Sequence, residues 1–391
     1  MLMTDMPSPE QVVARARAMK PMLRERAAEV EAARAVSADT IAAFRDAGFF
    51  RILQPRSHGG YAFRPEVLAD AIAEVSSACG SSGWTLAVLG LHQWEVRLLD
   101  DEVVDEIWGD DSEVLLSSAY APTGGVEPVE GGFRISGRWP FSSGCDHAQW
   151  AIVGGVRPPR GPGEVPTLCG FFVPRRDYAI LDDWHTMGLA GTGSKSLVMD
   201  NVFVPENRHH PIFGAAPPPP EGADPIYRMP FGLIFVEMLA AAVQGMAQGI
   251  LDRFAERSQT RIATMDRSPY AENPDTHRLI AETDYIIRSA RALSRANMAA
   301  ALDGVSGGPE QPVIDKARHF WEAARGVHAC NEAAQRIYAN SGAHGILAGD
   351  DLQRVFRDIQ SASTHMAFNA AGYARNFGAM AMGQPNRLNL I

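Results

Sequence analysis

Apolar residues recur at helical spacing from Pro9 to about Ala47, where Val12, Val13, Met19, Leu23 and Val30 stand among alanines, arginines and glutamates. Ser37 and Asp39 read as caps opening a further helix through Ile41 and Phe44, closed at Gly48. Beyond the loop 54–61, the same period predicts helices over 65–78, 82–99 and 101–108. Near Glu113 the pattern changes to alternation. Strands are predicted over 114–120, 133–139, 149–156, 167–174 and 196–205, separated by Gly/Pro turns. The proline run 217–220 reads as a stiff surface connector. From Pro230 onward the helical period returns over 231–264, 277–302, 311–340 and 351–378.

The chain therefore divides into helices over 1–112, a β unit over 113–212, a proline-rich connector over 213–229 and long helices over 230–391. The fold class is α+β, mainly α, with the β unit close to a small antiparallel barrel or sandwich. Each change between strand and helix is a seam where a ligand can sit.

Composition narrows the function classes. The 391 residues carry a formal net charge of −10, which argues against nucleic acid or an anionic membrane surface as partner. The four cysteines, Cys79, Cys145, Cys169 and Cys330, form no C-x-x-C pair and read as reduced thiols. The N-terminal residues lack the basic-then-apolar order of a signal peptide, and no apolar run is read as long enough to span a membrane. A cytoplasmic protein is expected.

The candidate chemistry gathers at two stretches. In RWPFSSGCDHAQ (138–149), Trp139, Pro140 and Phe141 lead a predicted strand into Ser142, Ser143 and Gly144. Hydroxyls at a strand end suit the polar edge of a planar heterocycle, although an ordinary turn also explains Ser-Ser-Gly alone. In WHTMGLAGTGS (184–194), glycines permit close backbone approach while Thr192 and Ser194 supply hydroxyls. This loop joins two β segments, so it is neither a Rossmann nor a Walker turn. Together the two stretches point to a flavin pocket and redox chemistry.

Further candidates lie on predicted helices. Trp84, Val88 and His92 share one helical face, which would set an aromatic wall and an imidazole beside one pocket. A buried histidine satisfied by a backbone carbonyl is the plainer reading. His365 is read within the last long helix, among Ser361, Ala362, Asn369 and Gly372. His344 belongs to a loop. An arginine could grip a phosphate, but Arg257, Arg261 and Arg267 remain alternatives. No metal site is expected, because His209, His210, His319 and His328 lack carboxylate or cysteine partners at ligand spacing.

The segments GFFRILQPRSHGG, CGSSGW, LHQW, SSAYAP, SSGCDHAQW, GLAGTGS, DNVFVP and FRDIQSASTHMAFN together resemble a known family. The chain is similar to the acyl-CoA dehydrogenase fold and, within it, to oxygenase components of two-component flavin-dependent monooxygenases. That family includes hydroxylases of p-hydroxyphenylacetate and of a steroid-derived phenol. The resemblance implies an N-terminal helical domain, a central antiparallel β-barrel and a C-terminal four-helix bundle, assembled as a homotetramer. It implies that a separate NAD(P)H:flavin reductase supplies reduced FMN or FAD. Oxygen would add at the flavin C4a, and the hydroperoxide would hydroxylate a phenolic or polycyclic aromatic substrate.

By position, the resemblance makes Ser143 the partner of flavin N5 and His365 the stabiliser of the hydroperoxide. It makes His92 and Ser118 the residues that hold or deprotonate the phenol. It places Trp84, Trp139, Arg261 and His344 along the flavin, beside Ser142, Thr192 and Ser194 from the residue reading. Two enzyme alternatives stay open: an acyl-CoA dehydrogenase or nitroalkane-oxidase-like enzyme with tightly bound FAD, and an N- or S-oxygenase. The first needs a carboxylate base, and no glutamate follows Glu332, which leaves Asp350 or Asp351. A flavin-binding module without activity is the non-enzymatic alternative.

Overall fold

A computed structural model describes residues 6–159, 161, 163–212 and 222–388. The connector prolines 217–220 lie outside the described residues. The N-terminal third is helical, with α1 (Pro9–Ala18), α2 (Lys20–Ala33), α3 (Ala38–Asp46), α4 (Pro65–Ala78), α5 (Gly80–Glu95) and α6 (Asp101–Trp108). Ser37 caps α3 by accepting the Thr40 N–H at 3.3 Å, as the sequence predicts. Asp39 instead sits in the first helical turn, where a negative charge meets the positive end of the helix. Helix α5 begins two residues earlier than predicted and ends at Glu95, after which Val96–Leu98 tighten into a 3-10 turn.

Among the described residues eight strands follow: β1 (Leu116–Ala119), β2 (Gly125–Val129), β3 (Gly132–Ser142), β4 (Trp150–Arg157), β5 (Thr167–Pro174), β6 (Ala179–Leu181), β7 (Lys195–Pro205) and β8 (His209–Pro211). They form two four-stranded sheets, ordered β1-β4-β5-β8 and β2-β3-β7-β6. Phe133, Trp139, Val153, Phe171, Leu197 and Met199 fill one core from both sheets. Two features differ from the sequence expectation. The pairing of β1 with β4 is parallel, so the unit is not wholly antiparallel. Strands β2, β6 and β8 were not predicted, because each is too short or too exposed to show alternation.

Helices α7 (Phe231–Ser258), α8 (Pro274–Val305), α9 (Val313–Ala339), α10 (Asp351–Ala362) and α11 (Ala370–Ala381) complete the chain. The predicted helix 351–378 is thus two helices. The break falls at Ser363–Asn369, where His365 and Asn369 turn their side chains back onto backbone N–H groups. Contrary to the sequence reading, α7 is long and apolar enough to cross a membrane, yet 89% of its most apolar window is buried in the protein. Its neighbours include α4, α5, α8 and α9.

One hydrophobic core spans both helical segments, joining Leu68, Ile72, Leu86 and Leu89 to Val243, Met246, Val327 and Ile337. Gly83 lets α5 close on α4, since a Cβ there would fall 2.7 Å from the Ser76 Cα. Buried Arg253 ends α4 by donating to the Ser77 and Ala78 carbonyls at 2.9 and 2.8 Å. The consequence for function is that α5 lies buried along its whole length between the β unit and α7.

Candidate active site

Trp84 and His92 stand two turns apart on α5, about 12 Å along the axis at 1.5 Å per residue, and each anchors one polar centre. At the first, the Trp84 indole N–H donates to Ser143 Oγ at 3.2 Å. Ser143 Oγ lies 2.7 Å from Ser194 Oγ, which lies 2.6 Å from Thr192 Oγ1. Thr192 donates in turn to the Leu189 carbonyl at 2.8 Å. A carbonyl only accepts, so one proton arrangement satisfies the whole chain. Ser143 donates to Ser194, Ser194 donates to Thr192, and Thr192 donates to Leu189. Ser143 has then spent its proton and one lone pair, and the lone pair left can only accept.

Unusual backbone conformations flank this chain of hydroxyls. Leu189 has φ +54° and Phe141, just before Ser142, has φ +70°, both unusual for residues with side chains. The loop is pinned to α10 by Asp358, which accepts the Leu189 N–H at 2.6 Å. Gly188 permits the approach, because a Cβ there would meet the Arg357 carbonyl oxygen at 2.2 Å. Burial raises the Asp358 carboxyl to about 6.

His365 faces the same indole, with its ring centroid 5.7 Å from that of Trp84 and edge-on to it. It stands in the turn between α10 and α11, so the helical neighbours assigned to it from the sequence do not surround it. Phe235 and Phe368 flank the ring at 5.9 and 6.1 Å. Desolvation lowers its pKa to about 4, which leaves a neutral imidazole at physiological pH. Nδ1 accepts the Ala367 N–H at 3.2 Å, so the ring proton resides on Nε2.

At the second centre, His92 Nε2 lies 2.9 Å from Ser118 Oγ and its Nδ1 lies 2.6 Å from Glu95 Oε2. His92 is therefore not a core histidine satisfied by a carbonyl. Tyr120 donates to the same carboxylate oxygen at 2.5 Å, and His210 Nε2 meets Oε1 at 2.8 Å. His92, Glu95 and His210 are buried without solvent contact. Burial by itself would raise the Glu95 pKa. Hydrogen bonds from His210 and His92 outweigh that and hold it at about 2.

The two centres communicate through packing. Ser142 donates to Ser117 at 3.0 Å, joining β3 beside Ser143 to β1 beside Ser118. Phe235 touches both the Tyr120 ring, at 5.6 Å, and the His365 ring. The resulting surroundings combine aromatic walls with a few directed polar groups, which suits a planar heterocycle with a polar edge.

Three sequence candidates lie elsewhere. Trp139 is enclosed in the core of the β unit, with its indole N–H on the Gly154 carbonyl at 2.7 Å, so it does not join the Trp84 group. Arg261 lies beyond the end of α7, not on it, and donates to the Asn340 carbonyl at 2.9 Å. His344 is exposed in the adjoining loop. Of the other arginines, Arg257 pairs with Asp350 and Asp351, each at 2.7 Å. Asp351 also holds Arg253, and Asp350 caps α10 at Leu352. Both aspartates considered as a dehydrogenase base are thus tied into ion pairs.

Sequence reasoning missed Glu95, Tyr120, His210, Phe235 and Asp358. Glu95 had one signal, its i, i+3 spacing from His92. His210 had none, since its carboxylate partner is 115 residues away in the chain.

Comparison with known proteins gives the chain's relatives. Residues 237–370 match the family model of the acyl-CoA dehydrogenase C-terminal domain. The chain is 35% identical over 355 residues to the flavin-dependent monooxygenase oxygenase subunit HsaA of Rhodococcus jostii (strain RHA1), covering 90% of this chain and 92% of that protein. It is 31% identical over 386 residues to the FADH(2)-dependent resorcinol hydroxylase oxygenase component of Rhizobium sp. (strain MTP-10005), covering 95% and 94%. The crystal structure of 3-HSA hydroxylase from Rhodococcus sp. RHA1 superposes with a TM-score of 0.91 at 33% identity, over 97% of this chain and 99% of that one. With more than 30% identity across nearly the full length of both chains, this chain belongs to the flavin-dependent monooxygenase oxygenase subunits built on the acyl-CoA dehydrogenase fold.

Proposed function

We propose that this oxygenase subunit receives reduced FMN or FAD from a separate NAD(P)H:flavin reductase and uses oxygen to hydroxylate a phenolic or polycyclic aromatic substrate. The observation carrying this reading is the acceptor-only oxygen of Ser143, bonded to Trp84 two turns along α5 from the His92–Ser118 pair. A reduced flavin bears N–H at N5 where the oxidised form has none, and an oxygen restricted to accepting favours the reduced form. When bound, the flavin supplies the activation of oxygen.

The chain's own residues have four tasks. Ser143, with Thr192 and Ser194 behind it, accepts from the flavin edge, and Trp84 walls it. His365 presents a neutral Nε2–H donor beside that wall. His92 and Ser118 hold the phenol oxygen and take its proton. Phe231, Phe235 and Tyr120 exclude water between the two centres, which matters because water diverts oxygen chemistry to hydrogen peroxide. Arg261 and His344 sit apart from these groups on the chain. Assembly as a homotetramer, proposed from the family resemblance, would let that surface of one copy reach the flavin of another.

The test is an assay with NADH, a flavin reductase, ¹⁸O₂ and a panel of mono- and polycyclic phenols. One ¹⁸O atom in a ring-hydroxylated product is expected. Hydrogen peroxide alone, across the panel and with both flavins, would sink the reading.

A further inference from the structure

We propose that Glu95 is the positioning residue for His92, and that His210 is its buried counter-charge. The inference rests on the reading above, in which His92 accepts a proton from the substrate. It deepens that reading by assigning what makes His92 an acceptor.

The geometry fixes the protons. His210 Nδ1 lies 2.9 Å from the Pro211 carbonyl, so it must donate there. Its Nε2 faces Glu95 Oε1 at 2.8 Å, and with Glu95 ionised this nitrogen donates as well. Glu95 and His210 therefore form a buried ion pair clamped to the backbone of β8. The other carboxylate oxygen faces two more groups, the Tyr120 hydroxyl and His92 Nδ1. An acceptor at that place draws the neutral His92 proton onto Nδ1 and leaves Nε2 bare. Nε2 points at Ser118 Oγ, 2.9 Å away.

The proton step then balances. The phenol O–H bond breaks as its proton passes to the Ser118 oxygen, and the Ser118 O–H proton passes to His92 Nε2. The products are a phenolate and an imidazolium whose Nδ1–H remains on the Glu95 carboxylate. No oxidant or co-reactant enters. Removing the acceptor lets the ring adopt the Nε2–H tautomer, which cannot receive that proton.

Two substitutions separate position from charge. Glu95→Gln keeps an amide oxygen for His92 and Tyr120 and offers an N–H₂ donor to a neutral His210. Glu95→Leu removes the acceptor at similar volume. The flavin-free protein is titrated with 4-nitrophenol, whose phenolate absorbs visibly, and the apparent pKa of the bound phenol is read. The ratio of hydroxylated product to hydrogen peroxide is measured with chemically reduced flavin. Glu95→Gln is expected to stay within about threefold of the unaltered protein in both readouts. Glu95→Leu is expected to raise the bound-phenol pKa by about one unit and to cut the product ratio about tenfold or more.

Unaltered behaviour of Glu95→Leu would overturn the inference, and so would equal impairment of both variants. If Glu95→Leu does not fold, the ring-nitrogen shifts of [¹⁵N]histidine-labelled protein decide. A protonated Nδ1 and bare Nε2 on His92 are expected, and an Nε2–H tautomer would overturn the assignment. If the unaltered protein hydroxylates no phenol, the functional reading fails, while the tautomer and the nitrophenol titration still judge Glu95.

Discussion

Asp358 on α10 accepts the backbone N–H of Leu189 at 2.6 Å, tying the helical bundle to the loop that carries Thr192 and Ser194. The bond explains why a glycine-rich loop between two strands is not a loose hairpin. Its register is set by a carboxylate 169 residues downstream.

That carboxylate should mark the pH dependence of stability. Burial raises Asp358 to about 6, against about 3.9 in an unfolded chain. A raised folded pKa means that its contribution is full below the unfolded value and is lost as pH rises through about 6. Asp358→Asn keeps the acceptor and cannot ionise. Relative to this variant, the unaltered protein should lose about 2 to 3 kcal/mol between pH 4 and pH 7, as an upper bound from the size of the shift. Urea midpoints at both pH values test this, and parallel pH profiles would remove the assignment.

Ser143→Ala deletes the acceptor proposed for the reduced flavin and leaves the Trp84 N–H unmatched. The Kd for reduced flavin should rise about 3- to 10-fold, the worth of one hydrogen bond, with a smaller change for oxidised flavin. Anaerobic and aerobic fluorescence titrations give the two constants. Equal weakening of both forms would contradict an acceptor-only role.

His92→Ala should keep flavin reoxidation while product falls about 100-fold and hydrogen peroxide takes its place. Chromatographic product yield against peroxide yield decides it. Hydroxylation at the unaltered yield would rule out the role.

Glu237 on α7 is fully buried, and burial raises it to about 8, so it is uncharged at neutral pH. Because the shift is upward, its contribution to stability should decline as pH rises through about 8. Glu237→Gln should abolish that decline. Thermal midpoints at pH 5 and pH 9 compare the two proteins, and an equal loss in both over that range would argue against it.

Much of this architecture was legible because its signals are local. The periods along α3, α8 and α9 reveal those elements, since burial of one helical face imposes the repeat directly. The Ser37 cap, and the hydroxyls at the end of β3 and in the loop before β7, are also written in consecutive residues. His365 shows where such reasoning stops. Its neighbours read as one continuous helix, but its ring takes a backbone N–H and helps to break the chain between α10 and α11.

The sequence by itself determined most of the helices, the five strands that show alternation, their order and the residue types available for flavin chemistry, because propensity, caps and periodicity act within a few residues. Tertiary structure alone decided which of those residues meet. It turned Trp139 into the β core, set Arg261 and His344 on a separate surface, and brought Glu95 to His210 across 115 residues. The physical reason is that a buried charge must find its partner wherever the packed elements put one. No local pattern in the chain records that distance.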